Sequence, residues 1–201
     1  MSISFRLSVT ALVLAALLAI APQARAEEPR HHLEIGIFGG LAKSAQPLGN
    51  RDIITYRNGG SELALFAVYK TPYFLSPFID LSYMPIAELH ARVDLGPYGG
   101  ATTTAGRSWA YGMMAGFAYD AWRFRFRAGV GYYDLFSKAR VLKTRALSNE
   151  IDFGYLLAVN ASLLKREHIQ IGAEIRASFI IEGQIAVVAL GPSISGDAIS
   201  F

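Results

Sequence analysis

From residue 32 onward, apolar and polar positions alternate with period two through most of the chain, the pattern of β-strands whose two faces meet different surroundings. In the first run Leu33, Ile35, Ile37 and Leu41 oppose Glu34, Gly36, Phe38 and Gly40. In the second, Leu63, Leu65, Ala67 and Tyr69 oppose Glu62, Ala64, Phe66, Val68 and Lys70. The third sets Ile79, Leu81, Tyr83, Pro85, Ala87, Leu89, Ala91 and Val93 against Asp80, Ser82, Glu88, His90 and Arg92. The fourth sets Trp109, Tyr111, Met113, Ala115, Phe117 and Tyr119 against small residues. In the fifth, RFRFRAGVG, Arg123, Arg125 and Arg127 oppose Phe124, Phe126 and Ala128. Two further runs begin at Ile151 and Ile169, and a less regular one covers about 184–201. Eight strands are thus predicted. Short links near 71–76, 120–122 and 165–168 alternate with long polar ones at 44–60, 95–106 and 137–150. The link at Glu182-Gly183-Gln184 is short where a long one is expected.

Alternation alone does not say which face is inside. Three features place the apolar face outward, against lipid. It carries almost no charge, while the opposite face holds the charges together with Gly, Ala and Ser, which relieve crowding inside a narrow barrel. The third and fifth runs far exceed the about 5–6 residues usual in soluble strands. Aromatics bracket the apolar band: Trp109 and Tyr111 at one end, Tyr119, Trp122 and Phe124 at the other. At about 3.3 Å per residue and about 40° tilt, the run from Trp109 to Tyr119 rises roughly 25 Å, the height of an outer-membrane barrel's apolar band.

The fold class is therefore all-β: an eight-stranded antiparallel up-and-down transmembrane β-barrel preceded by a signal peptide. Residues 1–26 read as the signal, with Arg6, an apolar run and Ala24-Arg25-Ala26 as the cleavage site. Residues 27–201 form one barrel domain. The chain has 201 residues, no cysteine and a net charge of +3. Arg6 and Arg25 fall in the leader, so the mature chain is close to neutral and gives no case for nucleic acid. Without disulfides, its stability must come from packing or from a membrane.

The chain ends in Phe201, with Ile199 two positions before it. This resembles the C-terminal assembly signal of bacterial outer-membrane barrels, although Asp197 stands at an apolar position of that pattern and Gly191-Pro192 interrupts the strand; a bulge near Pro192 would reset the alternation. The whole mature chain resembles the small eight-stranded outer-membrane barrels of the OmpA/OmpX/Ail type. That resemblance implies location in the cell outer membrane and, as partners, outer-membrane lipid and lipopolysaccharide, the barrel-assembly machinery and an extracellular ligand reached through the loops. It implies a non-catalytic structural or surface-interaction role, with a narrow pore or a lipid A-modifying hydrolase as alternatives.

Side chains just fill the interior of so narrow a barrel. The inward charged set is Glu62, Lys70, Asp80, Glu88, His90, Arg92, Arg123, Arg125, Arg127, Asp152, Glu174 and Arg176, and unpaired charges there are costly, so a network is expected. A serine hydrolase needs a base beside its hydroxyl. Lipid A deacylases place His and Ser two apart; His168 is followed by Ile169 and Gln170, and Ser162 and Glu174 face inward. His31-His32 lacks the third ligand of a metal site, and Gly129-x-Gly131 is too short for a nucleotide loop. No enzyme activity, cofactor or metal is called for. Lys138, Arg140, Lys143 and Arg145 make the third long link basic.

Overall fold

The computed structural model describes residues 31–45, 54–94, 101–141, 144–166 and 168–200. The segment read as a leader and the terminal Phe201 lie outside them. The strands are β1 (His32–Ala45), β2 (Ile54–Asn58), β3 (Gly60–Lys70), β4 (Ser76–Asp94), β5 (Ala101–Ala121), β6 (Phe124–Val141), β7 (Thr144–Lys165), β8 (Ile169–Ile180) and β9 (Ile185–Ser200). All pairings are antiparallel, and β1 pairs with β9 to close the ring. Both β2 and β3 lie along β4. They form one stave broken at Gly59, whose φ of 107° favours a residue without Cβ. The ring is thus an eight-stranded up-and-down barrel.

The apolar face points outward. Ile37, Leu65, Leu81, Met113, Tyr132 and Phe153 pair in turn across six staves to make one continuous row. Within it Ile37, Leu65, Leu81, Met113 and Tyr132 are exposed, while Phe38, Phe66, Asp80, Met114 and Arg127 beside them are buried inside. A soluble barrel would show the reverse. Among the described residues no helix is long and apolar enough to cross a membrane; the strands are what cross.

Two predicted links are strand instead. The β5–β6 register runs unbroken from Ala121↔Phe124 up to Ala105↔Arg140, and β6–β7 from Phe124↔Ala161 to Val141↔Thr144. The links at 95–106 and 137–150 therefore lie largely in β5, β6 and β7. Their polar composition marks water on both faces, which does not prevent backbone pairing. The 21 residues of β5, at about 3.3 Å each and tilted by about 40°, reach roughly 50 Å, about twice the apolar band. The excess forms an arm beyond the belt.

The register shifts at three bulges among the described residues, one of them at Leu163 of β7, between the pairs Ser162↔Gly172 and Leu164↔Ile171. Pro85 pairs with Trp109 but Ala87 with Ser108, so Ile86 is an extra residue, which turns Ala87 inward and Glu88 outward. In β9 the extra residue is Ala198, between the pairs Leu33↔Ile199 and Glu34↔Asp197. This corrects the expectation of a bulge at Pro192, which keeps register with Ala173 of β8. Pairing to β1 lapses beside Pro192 and resumes in the same register at Leu41↔Leu190, because proline lacks a donor but adds no residue.

Candidate functional site

The barrel's ionic interior is built in two tiers. At the short-turn end the Arg125 guanidinium donates to Glu34 through both Nη atoms, the Nη2–Oε2 bond at 2.8 Å. Its Nε donates to Asp120 at 2.7 Å. The hairpin sets this up, because Asp120 and Arg125 are cross-strand partners about the turn at Trp122-Arg123. Lys70 donates to Asp120 and lies 3.8 Å from Glu34. Two cations thus meet two carboxylates, and the Asp120 side chain opens to water at 46% exposure.

The second tier is sealed. Arg176 donates to Asp80 at 2.6 and 3.1 Å and places its Nε 3.0 Å from Glu62. Arg127 donates to Asp80 at 3.2 Å and also to Glu174. Asn160 donates to the other oxygen of Glu174 at 3.3 Å and to Ser193. The Arg127 guanidinium lies 3.9 Å from the Phe66 ring centroid, and that of Arg176 lies 5.2 Å from Phe38. Two guanidinium groups share three carboxylates, Glu62, Asp80 and Glu174, at no more than 2% exposure. The carboxylate left without hydrogen bonds is that of Glu62. Tyr133, Met114, Leu156 and Ile180, all buried, occupy the interior as well. The Tyr133 ring fits because Gly112 and Gly154 flank it; a Cβ at either would come within 2.7 or 2.6 Å of the ring.

Of the charges assigned to the interior from sequence, Glu62, Lys70, Asp80, Arg125, Arg127, Glu174 and Arg176 meet in these tiers. Four others do not. Arg123 sits in the β5–β6 turn, exposed, with its guanidinium 5.2 Å from the Trp122 ring, because the strand begins one residue later than its alternation implied. Glu88 faces outward beyond the Ile86 bulge and lies 3.6 Å from Arg107. His90 and Arg92 follow the same bulge, paired with Ala105 and Thr103, and their side chains lie outside the described residues. Asp152 is inward and buried but joins neither tier; it accepts a hydrogen bond from the Gly183 N–H at 3.1 Å. Sequence reasoning missed Glu34 and Asp120 as members. The signals were present: Glu34 shares the inward face of Phe38, and a two-residue turn puts Asp120 opposite Arg125.

The aromatics form two girdles. Trp109 stacks on Phe136 at 5.7 Å, with Tyr111 edge-on to Phe136 at 5.8 Å and Tyr83 beside Tyr111 at 5.4 Å. At the short-turn end Tyr119 and Phe126, Phe124 and Phe126, and Trp122 and Phe124 are neighbours. Ile199 is exposed on the outer face. His168 lies 3.9 Å from Asp197 and is largely exposed, while Glu174 is taken up by Arg127 and Asn160, so no relay links Ser162, His168 and Glu174.

Directly beyond the Trp109–Phe136 girdle the outer face becomes cationic. Arg107 pairs with Lys138, and Arg140 with Arg145. Direct cross-strand partners share a face, and this one continues the parity of Trp109, Tyr111 and Met113. All four side chains are exposed. Like charges directly opposite each other destabilise a sheet, and Glu88 beside Arg107 is the carboxylate that ion-pairs there among the described residues.

No protein-family model and no curated protein matches the chain. Among solved structures it is similar to Ail, the attachment invasion locus protein of Yersinia pestis, at 12% identity and a TM-score of 0.57, over 87% of this chain and 100% of that one. A second structure of Ail, in complex with the heparin analogue sucrose octasulfate, matches at 11% identity and a TM-score of 0.55, over 85% of this chain and 99% of that one. Neisserial surface protein A matches at 13% identity and a TM-score of 0.51, over 83% and 97%. At these identities the likeness is one of fold: the chain has the fold of the small eight-stranded outer-membrane β-barrels.

Proposed function

We propose that the chain is an integral outer-membrane protein with a non-catalytic surface-interaction role, closed inside and cationic at its outer-leaflet rim. On this reading the arm stands outside the cell and residues 1–26 direct export. The pattern ending in Ile199 and Phe201 directs handling by the barrel-assembly machinery. The observation that carries the role is the pair of like-charge cross-strand contacts, Arg107–Lys138 and Arg140–Arg145, on the lipid side of the arm just beyond the aromatic girdle. Phosphate groups of lipopolysaccharide lie at that height in an outer leaflet. Arginine matches phosphate with paired N–H donors, and an anion there removes the repulsion that the sheet otherwise bears. That one structural neighbour was solved with a sulfated sugar makes polyanion recognition by this fold a natural comparison.

A pore is less well supported, because the sealed second tier and the Tyr133 plug leave the interior filled. The test is reconstitution in vesicles with and without lipopolysaccharide. The unaltered chain should retain lipopolysaccharide in a salt-sensitive manner. The double change Arg140→Glu with Arg145→Glu should weaken retention by roughly 10- to 100-fold, the worth of one or two charge-assisted hydrogen bonds. Equal retention by the double variant refutes the ladder's role. Binding of heparin with none of lipopolysaccharide moves the partner from the leaflet to a host glycan. Steady ion current in a planar bilayer refutes the closed interior.

A further inference from the structure

Three carboxylates stand together at the arm-side rim, away from both ionic tiers. Glu150 and Asp152 are two residues apart on the inward face of β7, and Glu182 lies in the turn between β8 and β9. One oxygen from each lies within 4.8 Å of the other two. Among the described residues none of the three has an ion-pair partner. Asp152 is 0% exposed, and its two oxygens differ: Oδ2 accepts the Gly183 N–H, while Oδ1 is buried with no partner. A fully buried carboxylate with one oxygen unpartnered, close to two further carboxylates and with no cation against it, is an arrangement the folded chain stabilises poorly by itself.

We propose that Glu150, Asp152 and Glu182 form a calcium site that ties the β8–β9 turn to β7. The donor set is all oxygen, which suits a hard cation and not zinc or copper. Calcium takes about six to eight oxygen ligands in flexible geometry at about 2.3–2.6 Å, whereas magnesium demands near-ideal octahedral geometry at about 2.1 Å. Exposed Glu150 and Glu182 leave the ion open to water, which supplies the remaining ligands and a way in. The buried Asp152 supplies the fixed anchor. Because the last backbone bond before the turn runs from Ile181 N–H to Phe153 O, the ion would clamp the chain just past the end of the ladder. A rim site with one buried ligand belongs with the weaker extracellular class, with Kd of roughly 10⁻⁴–10⁻³ M.

The test uses the full chain refolded in detergent free of lipopolysaccharide and stripped with chelator. Terbium stands in for calcium, and its emission is read on tyrosine excitation, since Tyr133 is the direct cross-strand partner of Asp152. Sensitised emission that saturates and is displaced by millimolar calcium more readily than by magnesium is the expected result. Asp152→Asn should weaken binding by about 10-fold or more, within the range for loss of a metal-site partner. Glu182→Gln, a change in an exposed turn that does not threaten folding, should weaken it as well. Glu88→Gln, on the outer face of the arm, should leave it unchanged. Absence of saturable calcium binding up to about 5 mM, beyond the weakest extracellular class, overturns the proposal. So does binding that survives both Asp152→Asn and Glu182→Gln.

Discussion

Arg176 is the cation whose removal should cost this barrel most. It faces Asp80 with two hydrogen bonds at 2.6 and 3.1 Å, lies 3.0 Å from Glu62 and 3.6 Å from Glu174, and is 1% exposed. Arg176→Met keeps most of the side chain's bulk and its contact with Phe38, and deletes only the charge and the donors. Three buried carboxylates then share Arg127 alone. Breaking a buried ion pair from one side costs about 3–5 kcal/mol, a factor of roughly 10² to 10⁴ in the folding equilibrium. Glu62 is buried beside Arg176 but has no hydrogen bond to lose, so Glu62→Gln alone should cost less than the about 3–5 kcal/mol of a buried pair broken from one side. In the Arg176→Met background the same change removes an uncompensated charge. A coupling of about 0.5–3 kcal/mol in its favour is therefore expected. The assay is urea unfolding of the refolded protein in detergent micelles, followed by Trp109 and Trp122 emission and checked by the mobility of unboiled samples on gels. A loss of less than about 1 kcal/mol for Arg176→Met, or a loss that Glu62→Gln fails to relieve, would show that Arg176 stabilises by packing over Phe38 and not by charge.

Other perturbations separate the two faces. Leu81→Arg, in the middle of the outward apolar row, should cost about 2–4 kcal/mol by the same titration, the worth of a cation at the bilayer midplane; a neutral result would remove Leu81 from the belt. Asp120→Asn breaks two ion pairs, yet its half-exposed position should hold the loss to about 1 kcal/mol, far below that of Asp80→Asn, and equal losses would contradict the division into an open and a sealed tier. Gly112→Ala pushes a methyl against the Tyr133 ring and the Ser82 hydroxyl and should cost about 1–3 kcal/mol as overpacking, relieved in part by Tyr133→Leu, whereas an unrelieved loss would place the strain at Ser82.

The staves of the barrel were legible because each crosses from water through lipid to water with one face always outward. Period two survives wherever lipid enforces it, as in Ile35, Ile37 and Leu41 or Leu63, Leu65 and Tyr69. It fades above the girdle, where both faces of the β5–β6–β7 arm meet water and nothing selects apolar positions. Residues 137–150 therefore read as a loop although 137–141 and 144–150 are paired strand. Length was the available correction. The pairing reaches as far as Val141 and Thr144, and a polar segment between two strands already in register can continue their ladder as readily as leave it.

Within β4 the charged interior was legible up to the bulge and no further. Alternation carried Asp80 to Arg127 and Arg176 correctly in direction, because no extra residue intervenes between Ile79 and Pro85. One inserted residue, Ile86, then turns Glu88 to the outside, and no period-two count along a single strand can detect it; only the partner strand shows that Pro85 faces Trp109 while Ala87 faces Ser108. The chemistry gives a reason for the reset. Facing inward, Glu88 would stand eight residues along β4 from Asp80 and meet neither arginine of the sealed tier. Turned outward, it meets Arg107 at the base of the cationic face, where it offsets the repulsion between Arg107 and Lys138 and leaves Arg140 and Arg145 as the uncompensated pair. The bulge thus sets Glu88 against Arg107 and fixes where, along the arm, the surplus of positive charge begins.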